Sequence, residues 1–226
     1  MRDNQVSEVL SVDQAGVALP TSAEHSASAN PDAASDAITK PKPGRVPGNK
    51  AVWFAIYTEM TEFGVMFLIY FIAKVHSQEM FDQGPQQLNT LAGTLNTLAM
   101  LSSSFCVARA MVAIRRDAVR ESIRWLWGTI GCVLFYLVVK IWEYLLNAEH
   151  GFSVYTNLFF TVYYYLTFNH FIHVIWGGGA ILWVIIRLHY GAYSAKDHEG
   201  MEAVACYWHM IDLVWIVIFP LVYVLR

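Results

Sequence analysis

Five apolar segments, roughly 51–74, 88–113, 124–147, 156–187 and 203–225, dominate the chain. A helix needs about 20 apolar residues to cross the hydrocarbon core of a bilayer, and each segment reaches that length. The fourth is long enough to tilt or to project beyond it. Backbone amides and carbonyls in lipid have no water to bond, so segments of this kind must be helical. The expected fold is therefore all-α, an integral membrane bundle of five transmembrane helices. Composition agrees: only 15% of the 226 residues are charged, against about 25% in an average soluble domain. Eleven of the 33 charged residues fall in the first fifty positions, so the apolar part is barer still.

Residues 1–48 read differently. They are rich in Ala, Ser, Asp and Pro and close on Lys40-Pro41-Lys42-Pro43-Gly44-Arg45. Such a stretch buries too little apolar surface to offset the entropy of ordering, which predicts a disordered tail ahead of a membrane domain spanning 49–226. No apolar core follows a basic start, so a secretory signal is not expected. A net charge of −3 gives no basic excess and argues against nucleic acid as a partner. The three cysteines, Cys106, Cys132 and Cys206, have no disulfide or zinc spacing.

Basic residues near the spans fix an expected orientation. Twelve fall on one side: five in the tail, Arg109, Arg115, Arg116, Arg120 and Arg124 around the second link, and Arg187 and Lys196 further on. Lys74 and Arg226 fall on the other side, while Lys140 lies within a span. The N-terminus is thus expected in the cytoplasm and the C-terminus outside, as an odd number of spans requires.

Ionisable side chains within spans are costly and usually face protein or water. Here they come in pairs three residues apart: Glu59 and Glu62, Lys140 and Glu143, His170 and His173, His209 and Asp212. Residues at that spacing share a helix face, so four of the helices carry one polar stripe each. Lys140 and Glu143 can pair with each other. Glu59 and Glu62 repel, so one keeps a proton or a cation or histidine lies opposite. These groups serve either as proton-access sites or as hydrogen-bonded contacts between helices. His170, His173 and His209 also invite a metal or haem, although no motif specifies one, and Glu59, Glu62 and Asp212 could line a stand-alone proton or small-solute carrier. Gly93, Thr97, Ser104 and Ala108 mark a close-packing stripe. Gly177-Gly178-Gly179 admits a near neighbour or loosens its helix, and Pro220 should bend the last span.

The order of motifs is more specific than any one of them. Gly93-Thr-Leu-Asn-Thr-Leu with Ser102-Ser103-Ser104, then Lys140-Ile-Trp-Glu143-Tyr144, then Thr167-Phe-Asn-His170-Phe-Ile-His173, then Glu202 with Tyr207-Trp208-His209-Met-Ile-Asp212-Leu-Val-Trp215, resembles subunit III of the haem-copper oxidases over residues 49–226. Val46-Pro-Gly and the Gly93 run are most similar to the short, five-span members associated with bacterial nitric oxide reductase. The resemblance implies a non-catalytic subunit of a cytochrome c oxidase, quinol oxidase or nitric oxide reductase in the bacterial inner membrane, serving aerobic respiration or denitrification. It implies partnership with a catalytic haem-containing subunit I, which holds the haem and copper or iron, and with the complex's other subunits. No redox centre or metal is expected in this chain, and membrane lipid, as a structural phospholipid, is the candidate ligand. Glu59 falls where the family carries an acid near proton uptake; Glu62, Lys140, Glu143 and Asp212 join it as candidate intramembrane polar sites, and His170, His173 and His209 as candidate helix-contact or lipid-site residues. The chain departs from the pattern at Phe168, where the family has glycine, at Lys140, where oxidases often have glutamine, and in lacking the two extra N-terminal spans of long members.

Overall fold

The computed structural model describes residues 46–225. All but the last three residues of the expected tail lie outside the described residues. Within them the chain is all-α, and five helices are long and apolar enough to cross a membrane. They are α1 (Lys50–His76), α3 (Thr90–Arg115), α4 (Val119–Glu149), α5 (Leu158–His189) and α6 (Glu199–Phe219), the last continued by a π-helical turn, Pro220–Val224. A short helix, α2 (Gln78–Gln87), joins α1 to α3.

Local chemistry accounts for the ends. Asn49, Asn89 and Asn157 cap α1, α3 and α5, each accepting a backbone N–H of the first turn with its side-chain oxygen, which satisfies one of the donors a helix start leaves open. Glu199 and Glu202 lie in the first turn of α6, where carboxylates complement the positive helix end. The link between α3 and α4 is only Arg116, Asp117 and Ala118. Asp117 adopts a positive φ of 59° there, and its carboxylate accepts the N–H of Ala195 at 3.1 Å, tying that turn to the α5–α6 link.

The helices pack through small residues where backbones come close. A Cβ on Gly178 would sit 3.1 Å from Val133 of α4, and one on Gly177 would sit 2.8 Å from Ile211 of α6. Of the two readings of the glycine triplet, the close neighbour is the one observed, and α5 runs through it as an unbroken α-helix. Gly93 of α3 faces Phe219 and Tyr223 in the same way, so the first residue of the small-residue stripe packs on the end of the C-terminal helix.

Two local features complete the bundle. The polar link after α1 is α2, which buries Phe81, Gly84 and Pro85; Gly84 lies directly against the ring of Phe159. At Pro220 the α-helix changes to π pitch, because proline has no N–H and its ring crowds the preceding turn. Tyr70 of α1 donates its hydroxyl to the carbonyl of Leu221, giving that turn a bond where the regular ladder is interrupted.

Candidate functional site

The polar residues of the spans form separate clusters, and the most enclosed lies in the bundle core. Lys140 and Glu143, one helical turn apart on α4, are both fully buried and pair at 3.1 Å. The ammonium also donates to the hydroxyls of Tyr223, at 2.8 Å, and Tyr163, at 3.4 Å. Both tyrosines then donate to the other oxygen of Glu143, at 2.6 and 2.9 Å. Asn147 adds a bond to Tyr163 at 3.3 Å. An ammonium has three donors, and all three are used. The rings of Tyr144 and Trp215 stand 5.0 and 5.6 Å from the same nitrogen, close enough for cation–π attraction. The network ties α4, α5 and the π-helical turn together and leaves neither charge without a partner.

A second cluster lies where α1 meets α5. His173 and Glu59 meet at 2.7 Å, with side chains 13% and 26% exposed. One turn on, Asn169 donates to the exposed carboxylate of Glu62 at 2.8 Å. The other nitrogen of His173 bonds the carbonyl of Asn169 at 2.7 Å, so the two contacts form one polar strip. A histidine thus lies opposite Glu59, while Glu62 is met by a neutral amide.

The third cluster joins α3 and α6. Ser104 and the Nδ1 of His209 bond at 2.8 Å, and the carboxylate of Asp212, almost wholly buried, lies 3.9 Å from the same nitrogen. Two tryptophan N–H groups of α6 are held by α3 hydroxyls: Trp208 donates to Ser103 at 3.1 Å and Trp215 to Thr97 at 3.0 Å. Hydroxyl-to-indole bonds of this kind fix the rotation of one helix against another.

His170 stands apart. It is fully buried and bounded by the rings of Phe63, Tyr136 and Trp215, with centroids 6.5, 5.9 and 5.0 Å away. Neither of its nitrogens, nor the hydroxyl of Tyr136, has a hydrogen-bond partner among the described residues. Each such group costs about 1–3 kcal/mol if left unmet. The histidines therefore divide: His173 and His209 bridge helices, and His170 lies in an aromatic box. Glu59 and Glu62 likewise share one cluster, and Asp212 belongs to another. Among the described residues, no three His, Cys, Asp or Glu side chains converge as a metal site would require.

Sequence reasoning missed Tyr163, Tyr223, Asn147 and Asn169 as partners. It also left Glu202 without a role. That side chain accepts the N–H of Gly48 at 3.1 Å and meets His198 at 3.3 Å and Arg115 at 3.6 Å. A Cβ on Gly48 would come within 2.9 Å of the backbone of Ala203, and its φ is +69°, so the chain enters α1 through a contact that only glycine makes without strain.

An apolar groove of about 870 Å³ opens between α1, α4 and α5, lined by Met66, Ile69, Tyr144, Phe152, Tyr164 and Phe168 among others.

Residues 49–226 match the family described as cytochrome c oxidase subunit III. Among curated proteins the chain is 33% identical over 171 residues to "Cytochrome c oxidase subunit 3" of Thermostichus vulcanus, covering 75% of this chain and 83% of that one. It is 27% identical to "Probable cytochrome c oxidase subunit 3" of Mycobacterium bovis over 82% of this chain and 90% of the relative. A fused protein of Aeropyrum pernix, "Heme-copper oxidase subunit I+III", matches 76% of this chain at 26% identity. With all five spans and all three polar clusters inside the matched region, the chain belongs to the cytochrome c oxidase subunit III family.

Proposed function

We propose that the chain is a subunit of a bacterial respiratory haem-copper oxidase, or of a nitric oxide reductase complex, and packs against a haem-bearing subunit I. The single observation carrying this is the family match across residues 49–226, which takes in every span. The fused relative, named as subunit I+III, supports a subunit I partner. On this reading the haem and its copper or iron belong to the partner, and this chain supplies contacts and polar groups. It lies in the inner membrane with its N-terminus in the cytoplasm, the side to which the arginine-rich α3–α4 link assigns it.

Two features supply specific roles. Glu59 and Glu62 place two carboxylates at a partly open face of α1. Carboxylates at membrane depth are expensive unless they face protein or water, so this face approaches a partner or a hydrated path and supports proton uptake. The groove beside it is the place for phospholipid acyl chains, since its walls are almost entirely apolar.

Deleting the chain from cells that make it tests the proposal. Membranes are expected to lose terminal-oxidase or nitric-oxide-reducing turnover, or assembly of the haem complex, and to regain it on complementation. Unchanged turnover and assembly would reject it.

A further inference from the structure

The Lys140–Glu143 cluster and the Glu59–His173 strip lie on either side of His170. His173 is one turn along α5 from His170, and the ring of Phe63 contacts both imidazoles, at 5.3 and 6.5 Å. On the other side, Trp215 lies 5.0 Å from His170 and beneath the Lys140 ammonium. It also meets Tyr136 edge-on at 5.3 Å. His170 thus lies on α5 between two polar clusters and, among the described residues, bonds to neither.

Its surroundings leave it no partner among the described residues. A neutral imidazole carries one donor and one acceptor whichever nitrogen holds the proton. The indole N–H of Trp215 is committed to Thr97. The hydroxyl of Thr167, one turn before His170, donates to the carbonyl of Tyr163 and accepts from Tyr144. Tyr136 is close and equally unmet, with its ring nearly perpendicular to the imidazole at 5.9 Å. Buried polar groups in folded proteins are almost always bonded, to ordered water where no protein group is available. Two rings in contact, each carrying a buried polar atom with no direct bond to the other, can share a bound water that serves both.

We propose that His170 and Tyr136 form a water-binding site in the core of the bundle, which continues the polar line from Glu59 and His173 at the α1 face towards Lys140 and Glu143. The ligand is water, held by an imidazole and a phenol inside an aromatic box. This does not depend on which respiratory complex the chain serves.

Radiolytic hydroxyl labelling of the purified complex tests it, because radicals born from an ordered water oxidise the side chains that hold that water. Phe81, fully buried in an apolar setting, and Tyr155, 95% exposed in the α4–α5 link, are the internal references. Tyr136 and His170 are expected to be oxidised at a rate approaching that of Tyr155, with Phe81 at background. Both remaining at the Phe81 level would overturn the site. In His170→Phe, which keeps an aromatic ring in the box, labelling of Tyr136 is expected to be lost. Retention of that labelling would overturn the shared site. Should the variant not assemble, the unmodified complex alone still decides.

Discussion

Replacing Glu143 with leucine should be among the most damaging single changes in this bundle, and the structure sets its size. Lys140 is fully buried, and Glu143 is its one carboxylate partner among the described residues. Removing one member of a buried ion pair strands the other, at a cost of about 3–5 kcal/mol. Two tyrosine hydroxyls lose their acceptor in the same step. Lys140→Met should cost less, because Glu143 would keep both tyrosine donors, worth about 1.5–3 kcal/mol each as bonds to a charged group. The double variant Lys140→Met/Glu143→Leu should then be at least ~2 kcal/mol more stable than Glu143→Leu alone, since an apolar pair of similar volume strands no charge. These differences stand clear of the ~0.6 kcal/mol typical of one hydrogen bond between membrane helices. Reversible unfolding of the full chain in mixed micelles, titrated with a denaturing detergent, measures all three. A cost for Glu143→Leu under ~1 kcal/mol, or a double variant less stable than that single one, would show that the buried pair does not behave as a coupled charge pair.

Three other outcomes are expected. Gly84→Ala should destabilise by about 1–3 kcal/mol through overpacking against Phe159. Gly179→Ala, with nothing within 4 Å of the new methyl, should be neutral or should stabilise by up to ~1 kcal/mol in the same unfolding assay. Glu59→Ala should slow proton-coupled turnover of the assembled complex more than it lowers assembly, with subunit content and turnover measured on the same membranes; lost assembly with normal turnover per complex would make the residue purely structural. A cysteine placed at Ser194, in the α5–α6 link, should react with an impermeant thiol reagent only from the cytoplasmic side. One at Ser153, in the α4–α5 link, should react only from the outer side.

Much of the fold was legible because lipid removes most alternatives: an apolar run of that length is a helix, and the structure differs from the expected spans by only a few residues at most ends. The link at 78–87 was less readable. Its polar composition and the Gly84-Pro85 pair suggest a loop, while the contact that holds it as a helix, Phe81 and Gly84 against Phe159, comes from a residue far along the chain. The polar stripes followed from spacing alone, and the pairing of Lys140 with Glu143 could be read from one helix. Partners across helices could not. Whether Glu59 meets His173 or His209 depends on how α1, α5 and α6 are rotated, and those rotations are set by close contacts such as Gly177 on Ile211 and Ser103 on Trp208. Tyr163 carries no mark that separates it from Tyr164 and Tyr165 beside it, though it alone of the three reaches Glu143. His170 and His173 look alike in sequence, yet His173 reaches Glu59 while His170 is enclosed by the rings of Phe63, Tyr136 and Trp215.

On the proposed function, this chain works beside a haem-bearing subunit. Capture of a tagged full-length chain from mildly solubilised membranes tests it most directly, read by the reduced-minus-oxidised absorbance spectrum and by the polypeptides that accompany the tag. A haem spectrum that follows a second, larger membrane polypeptide is expected, with loss of that spectrum when the two are separated by harsher detergent. A colourless chain captured alone under gentle conditions, or haem that stays with this chain after separation, would contradict it.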